Sequence, residues 1–175
     1  MPLANHLNLP SASPKEQIRS KLEWNEVRSV TEADFFTLGY SGRKTSEVLE
    51  ALVSSGVKTL VDIRKNPVSM YRPEVSKKNL QRSLNEVEIR YVHMPELGVP
   101  RDVRGLAVES GSRDVIWDWY DENVVPDFAG SNLSMFMNAF EHPVALMCTE
   151  LDPHECHRHR LSLALEGLGM KGFDL

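Results

Sequence analysis

Four short apolar runs, each followed by a turn and an amphipathic segment, constrain this chain more than any other feature. They are Phe35–Tyr40, Thr59–Ile63, Ile89–Met94 and Pro143–Cys148. Strands covered on both faces read as continuous apolar runs of this kind. Between them the spacing predicts a helix over Thr45–Ser55, through Val48, Leu49, Leu52 and Val53, closed by Gly56, and another over Lys77–Val87. Helices are also expected near Arg113–Asn123 and Ser131–Phe140 and from Pro153 to Leu168. The last is introduced by Asp152-Pro153-His154-Glu155, which reads as a capping box with proline at its first turn. Gly172–Leu175 ends the chain as a further short strand. Strands alternating with helices imply one three-layer α/β domain, a mostly parallel sheet of about five strands with right-handed crossovers. Residues 34–175 make up this domain. Residues 1–33 read as an N-terminal extension, with a helix expected over 14–30 that packs through Leu22 and Trp24.

A chain of 175 residues suits a single domain with a proper core. No apolar run approaches the roughly 18 residues that span a bilayer, and Met1–Pro10 lacks the pattern of a secretory signal. Two cysteines do not make a disulfide scaffold, so the expectation is a cytoplasmic protein with reduced thiols and no membrane partner. The net charge of −5 argues against a general nucleic-acid coat, but the charge is uneven. Residues 64–104 carry nine basic and five acidic side chains; residues 105–152 carry one basic and nine acidic. A local basic stretch can hold an anionic ligand on an acidic protein. The expected partner is therefore a small anionic or nucleotide-like substrate. Nucleic acid, with Tyr71 and Tyr91 as stacking residues, is the alternative, and nothing in the sequence indicates an oligomeric state.

Ligands in open parallel sheets bind beyond the carboxyl ends of the strands. Those ends deliver Tyr40-Ser41, Asp62-Ile63-Arg64, His93 and Cys148-Thr149-Glu150 to one edge. A further turn then brings Cys156, His157 and Arg158 to the start of the last helix, where unpaired N–H groups favour anions and depress thiol pKa values. Cys148 is read as nucleophile or site thiol, Glu150 as general acid/base, His157 as the group that tunes the thiols, and Asp62 as a catalytic or orienting carboxylate sharing a strand face with Arg64. Ser41, Arg64, Ser69, His93, Cys156 and Arg158 complete the candidate ligand contacts. No cofactor is expected. Zinc held by Cys148, Cys156, His157 and His93 is the weaker reading, because the spacing is not a paired C-x2-C and adjacent side chains on a helix diverge by about 100°. A non-catalytic ligand-binding or metal-binding protein stands beside the enzyme reading.

Four motifs occur here in the order seen in the DUF488 family, named for unknown function. They are Thr37–Ser41, Val61–Ser69, Tyr91–Gly98 and Leu146–Glu150 continuing to Cys156-His157-Arg158. The chain resembles that family from about residue 35 to its end. The resemblance implies one α/β domain with Cys148, Glu150, Cys156, His157 and Arg158 as a signature cluster. Family members usually carry His where this chain has Tyr40. A weaker likeness to rhodanese-like domains rests on the Asp62-Ile63-Arg64 segment and the strand-end cysteine. Here, however, ten positions separate Cys148 from Arg158, and Glu150 and Asp152 between them would repel an oxyanion.

Overall fold

The computed structural model describes residues 30–175. The helix expected over 14–30, with Leu22 and Trp24, lies outside the described residues apart from its final position. Five strands form one wholly parallel sheet: β1 (Phe35–Gly39), β2 (Thr59–Asp62), β3 (Arg90–His93), β4 (Val144–Cys148) and β5 (Gly172–Asp174), in the order β3-β2-β4-β1-β5. Every residue of β1, β2 and β4 is buried, whereas the outer strands β3 and β5 are only partly so. The continuous apolar runs thus mark the three inner strands.

The chain steps across the sheet in one direction from β1 to β3 and in the other from β3 to β5. Right-handed crossovers then put the connecting helices on opposite faces. Helices α1 (Thr45–Ser54) and α2 (Lys77–Glu86) cover one face, where Val48, Leu52, Leu80 and Leu84 pack on Leu38, Leu60, Ala145 and Met147. The other face carries α3 (Arg101–Ser110), α4 (Asp114–Asn123), α5 (Leu133–Asn138) and α6 (Arg158–Gly167). There Ile116, Tyr120, Phe128, Phe136, Leu161 and Leu165 pack on Val61, Ile63, Val144 and Leu146. A π-helical turn, Phe128–Asn132, leads into α5. No helix among the described residues is long and apolar enough to cross a membrane.

Two expectations needed correction. The segment after β3 holds α3, hidden from the sequence reading by Pro95, Gly98, Pro100 and Gly105. The last helix begins at Arg158, not at Pro153. Asp152 does cap, accepting from the His154 N–H at 2.9 Å, but it caps only a 3-10 turn, Pro153–Glu155. Cys156 then adopts extended backbone (φ −127°, ψ 142°) before α6 starts.

Side chains alternate in strands. Val144, Leu146 and Cys148 therefore face the α3–α6 side, and Ala145 and Met147 the α1–α2 side. Asp62 pairs in register with Met147 and shares its face. The strand ends bring Asp62 and Cys148 to one edge but on opposite sides of the sheet.

Two glycines let loops close on that edge. A Cβ on Gly39 would sit 1.8 Å from the carbonyl oxygen of Glu150, and one on Gly98 would sit 2.3 Å from the backbone nitrogen of Lys65. Backbone cannot give way as a flexible side chain does. Gly39→Ala is expected to cost about 3 kcal/mol in urea unfolding. Gly105→Ala, in the middle of α3 with nothing within 4 Å of its added methyl, should raise stability by about 0.5–1 kcal/mol.

Candidate functional site

A cleft of about 210 Å³ opens where the register leads, over the carboxyl end of β4. Cys148, Thr149 and Glu150 form one wall. Lys65, Asn66, Val68 and Ser69 come from the loop after β2, Arg104 from α3, Arg113, Ile116 and Trp117 from around α4, and Glu155 and His157 from the approach to α6. Of the expected site residues, Cys148, Glu150, His157, Arg64 and Ser69 line this cleft. Ser41, Asp62, His93, Cys156 and Arg158 do not.

The thiols and the imidazole converge beneath it. Cys148 Sγ lies 3.4 Å from Glu150 Oε2, 3.8 Å from His157 Nδ1 and 3.9 Å from Nε2; Cys156 Sγ lies 4.0 Å from His157 Nδ1. Both cysteines are free and buried. The extended conformation at Cys156 produces the meeting. On a continuous helix Cys156 and His157 would point apart, whereas here the chain turns and the Arg158 N–H donates back to Cys156 Sγ at 3.5 Å. The ring of His157 packs against Tyr120, centroids 5.2 Å apart, and its Nε2 meets the carbonyl of Ile63 at 3.3 Å. That ring faces the protein body, as do Leu161 and Leu165 of α6, whereas Leu168 is exposed.

Burial pushes the Cys148 thiol well above its ordinary range, and charge on Cys156 and Glu150 pushes the same way. Burial acts alike on Cys156, but the hydrogen bond from Cys148, the Arg158 charge and His157 outweigh it and hold that thiol well below the ordinary value. Glu150 is raised by burial and by Cys156. Burial lowers His157, but Cys156 and Glu150 more than reverse it.

Arg158 is wholly buried, and its donors are engaged. They reach the carbonyls of Glu150 and Leu151 and, at 3.4 Å, Asp174 Oδ1 on β5, which also accepts from Thr37 Oγ1. Arg158 therefore holds the loop after β4 in place.

Asp62 and Arg64 form a second constellation on the other face. Arg64 grips Asp62 with two side-chain bonds (2.8 and 2.6 Å), Tyr91 donates to Asp62 Oδ2 at 2.6 Å, and Arg64 also reaches the carbonyl of Val75 and the Tyr40 hydroxyl. Asp62 is fully buried and its carboxylate holds Arg64, which fits the orienting of the two roles expected of it. Tyr91 is 8% exposed and hydrogen-bonded, which removes it as a stacking surface for nucleic acid; Tyr71 is 99% exposed. His93 Nε2 contacts the carbonyl of Arg64 at 2.9 Å and so steadies the loop after β2. The Ser41 N–H is used by the carbonyl of Thr149, and Ser69 Oγ accepts from the Arg72 N–H. Tyr40, at the position usually histidine in the resembling family, lies under Arg64 and Arg72 and touches Thr149 Oγ1.

Sequence reasoning named Arg64 and missed the other cations of the cleft, Lys65, Arg104 and Arg113. Arg113 comes within 3.9 Å of Glu150 and 4.0 Å of Glu155. Lys65 and Arg104 have no ion-pair partner among the described residues. The basic stretch at 64–104 was the signal for Lys65 and Arg104; Arg113 stands alone in an acidic run and gave none.

The family model described as "Domain of unknown function DUF488" matches residues 44–165, a span that takes in β2 to β4 and the whole thiol cluster. No curated protein and no solved structure matches the chain.

Removing a buried cation while its partner stays is costly. Arg158→Met is expected to destabilise by about 3–5 kcal/mol, since it takes the buried cation from beside Asp174 and the donors from two carbonyls. Tyr91→Phe, which leaves Asp62 both bonds from Arg64, should cost about 1.5–3 kcal/mol. Urea unfolding of the two variants side by side gives the comparison.

Proposed function

The chain belongs to the DUF488 family, described only as a domain of unknown function; from that premise and the chemistry of its cleft we propose that it is an enzyme acting by acid/base chemistry on a small anionic or nucleotide-like substrate. One observation carries the reading. Glu150, hydrogen-bonded by Cys148, shares the cleft with Lys65, Arg104 and Arg113. A carboxylate that can move a proton thus stands among cations that can hold an anion.

The roles follow from position. Lys65 and Arg104, which have no ion-pair partner among the described residues, supply positive charge to the substrate, and Arg113 bridges substrate and Glu150. Glu150 accepts or delivers the proton at the carboxylate that faces Cys148. Cys148 is the site thiol, and His157 orients it from below. Trp117 offers an aromatic wall to a base or other flat group. Arg64 is a positioning residue, because Asp62, Tyr40 and Val75 occupy its guanidinium.

The test has two stages. Ligand-detected NMR with inorganic phosphate and nucleoside mono-, di- and triphosphates should find binding at low salt that Arg104→Ala weakens about tenfold or more. Chromatographic assay of the bound compounds should then find turnover that Glu150→Gln lowers by about 10²–10⁴-fold with little change in affinity. No binding of any of these anions at low salt, or turnover untouched in Glu150→Gln, would overturn the reading.

A further inference from the structure

We propose that Cys148, Cys156 and His157 form a site for a thiolate-preferring divalent cation, zinc by the chemistry of the donors, with an open coordination position on the cleft. The three donor atoms lie within 4.8 Å of one another in three buried residues. His157 Nδ1 stands 3.8 Å from one sulfur and 4.0 Å from the other. Zinc, bonded at about 2.3 Å to sulfur and about 2.0–2.1 Å to nitrogen, spaces tetrahedral donors about 3.5–3.8 Å apart. Closing the difference takes side-chain shifts and a turn of the His157 ring, because Cys148 Sγ lies almost equally far from both ring nitrogens. The set of two sulfurs and one imidazole suits zinc better than the oxygen-seeking cations.

Three surrounding features fit a ligand set. The Nε2 of His157 is within reach of the Ile63 carbonyl, so a ring that donates there leaves Nδ1 as the nitrogen with a lone pair for a cation. Such a carbonyl is the usual outer support of a metal-bound histidine. The Arg158 N–H donates to Cys156 Sγ, which stabilises sulfur as thiolate. The Arg158 guanidinium, bonded to Asp174 and two carbonyls, also lies close enough to Cys156 to act on its sulfur, so a bound cation would share that thiolate with it. Cys148 and His157 both line the cleft, which provides the path of entry. Three protein ligands with a fourth position open to solvent is the arrangement of catalytic zinc. That position would face Glu150. With the cation in place Cys148 is a ligand, and Glu150 remains the group that handles protons. The divergence expected of adjacent side chains on a helix does not apply, because Cys156 precedes α6 in extended backbone.

The test is titration of the full chain, reduced and stripped of metal, with Co(II) alone. One equivalent should produce thiolate-to-cobalt charge-transfer absorption and the intense visible bands of tetrahedral cobalt, and Zn(II) should abolish both. Cys156→Ser and Cys148→Ala should each weaken uptake by more than about 100-fold, with folding of the apo variants checked by circular dichroism. His154→Gln, outside the cluster, should leave uptake unchanged. Absence of a thiolate band in the reduced wild-type protein, or bands that survive in both cysteine variants, would overturn the site. The result is separable from the enzyme reading. Metal uptake without anion affinity keeps the site and removes that reading; anion affinity and turnover without metal uptake do the reverse.

Discussion

The geometry of the cleft depends on one buried cation. Arg158, at the first turn of α6, is sealed from solvent and engages two carbonyls of the loop after β4 together with Asp174 on β5. A buried guanidinium left with open donors is expensive, so the loop must run where its carbonyls can meet them. That fixes Glu150 and Leu151. Gly39 allows the same loop to lie directly on β1, where any side chain would collide with the Glu150 carbonyl. Arg158 also places its own N–H on Cys156 Sγ. A single residue thus couples the strand that bears Cys148, the carboxylate beside it, the second thiol and the last strand.

The alternation of side chains along β4 decides what this frame presents. Cys148 faces α3–α6 and so meets His157, Tyr120 and the cleft. Asp62, one strand away and at the same edge, faces α1–α2 and meets Tyr91 and Arg64. The first constellation is partly open and carries reactive groups. The second is closed, and every named member of it is hydrogen-bonded. Chemistry and support are divided by the thickness of the sheet, and Arg64, which continues past the end of β2, joins the two by lining the cleft while bonded to Asp62.

Much of this was legible. Continuous apolar runs marked the strands, and the thiols, Glu150 and His157 stood out because so many titratable groups share one strand-to-helix junction. Three things were not. Helix α3 was hidden because Pro95, Gly98, Pro100 and Gly105 read as loop signals. The start of α6 was set too early, because Asp152 and Pro153 do form a cap but for a 3-10 turn that Cys156 ends. The separation of Asp62 from Cys148 depends on the register of β2 against β4, a long-range pairing that neither local sequence specifies. The family match over 44–165 agrees with the resemblance of the motifs and leaves chemistry to be argued from the site.

The central claim is that Cys148 opens on a cation-lined cleft with Cys156 behind it. Alkylation of the native, metal-stripped protein by anionic iodoacetate and neutral iodoacetamide, followed at each cysteine by mass spectrometry, tests it most directly. The account predicts that access outweighs thiol acidity, so that Cys148, which lines the cleft, is modified before Cys156, which does not; that low salt favours the anionic reagent; and that added Zn(II) suppresses the reaction. Modification of Cys156 first, or of both thiols only after unfolding, would contradict it.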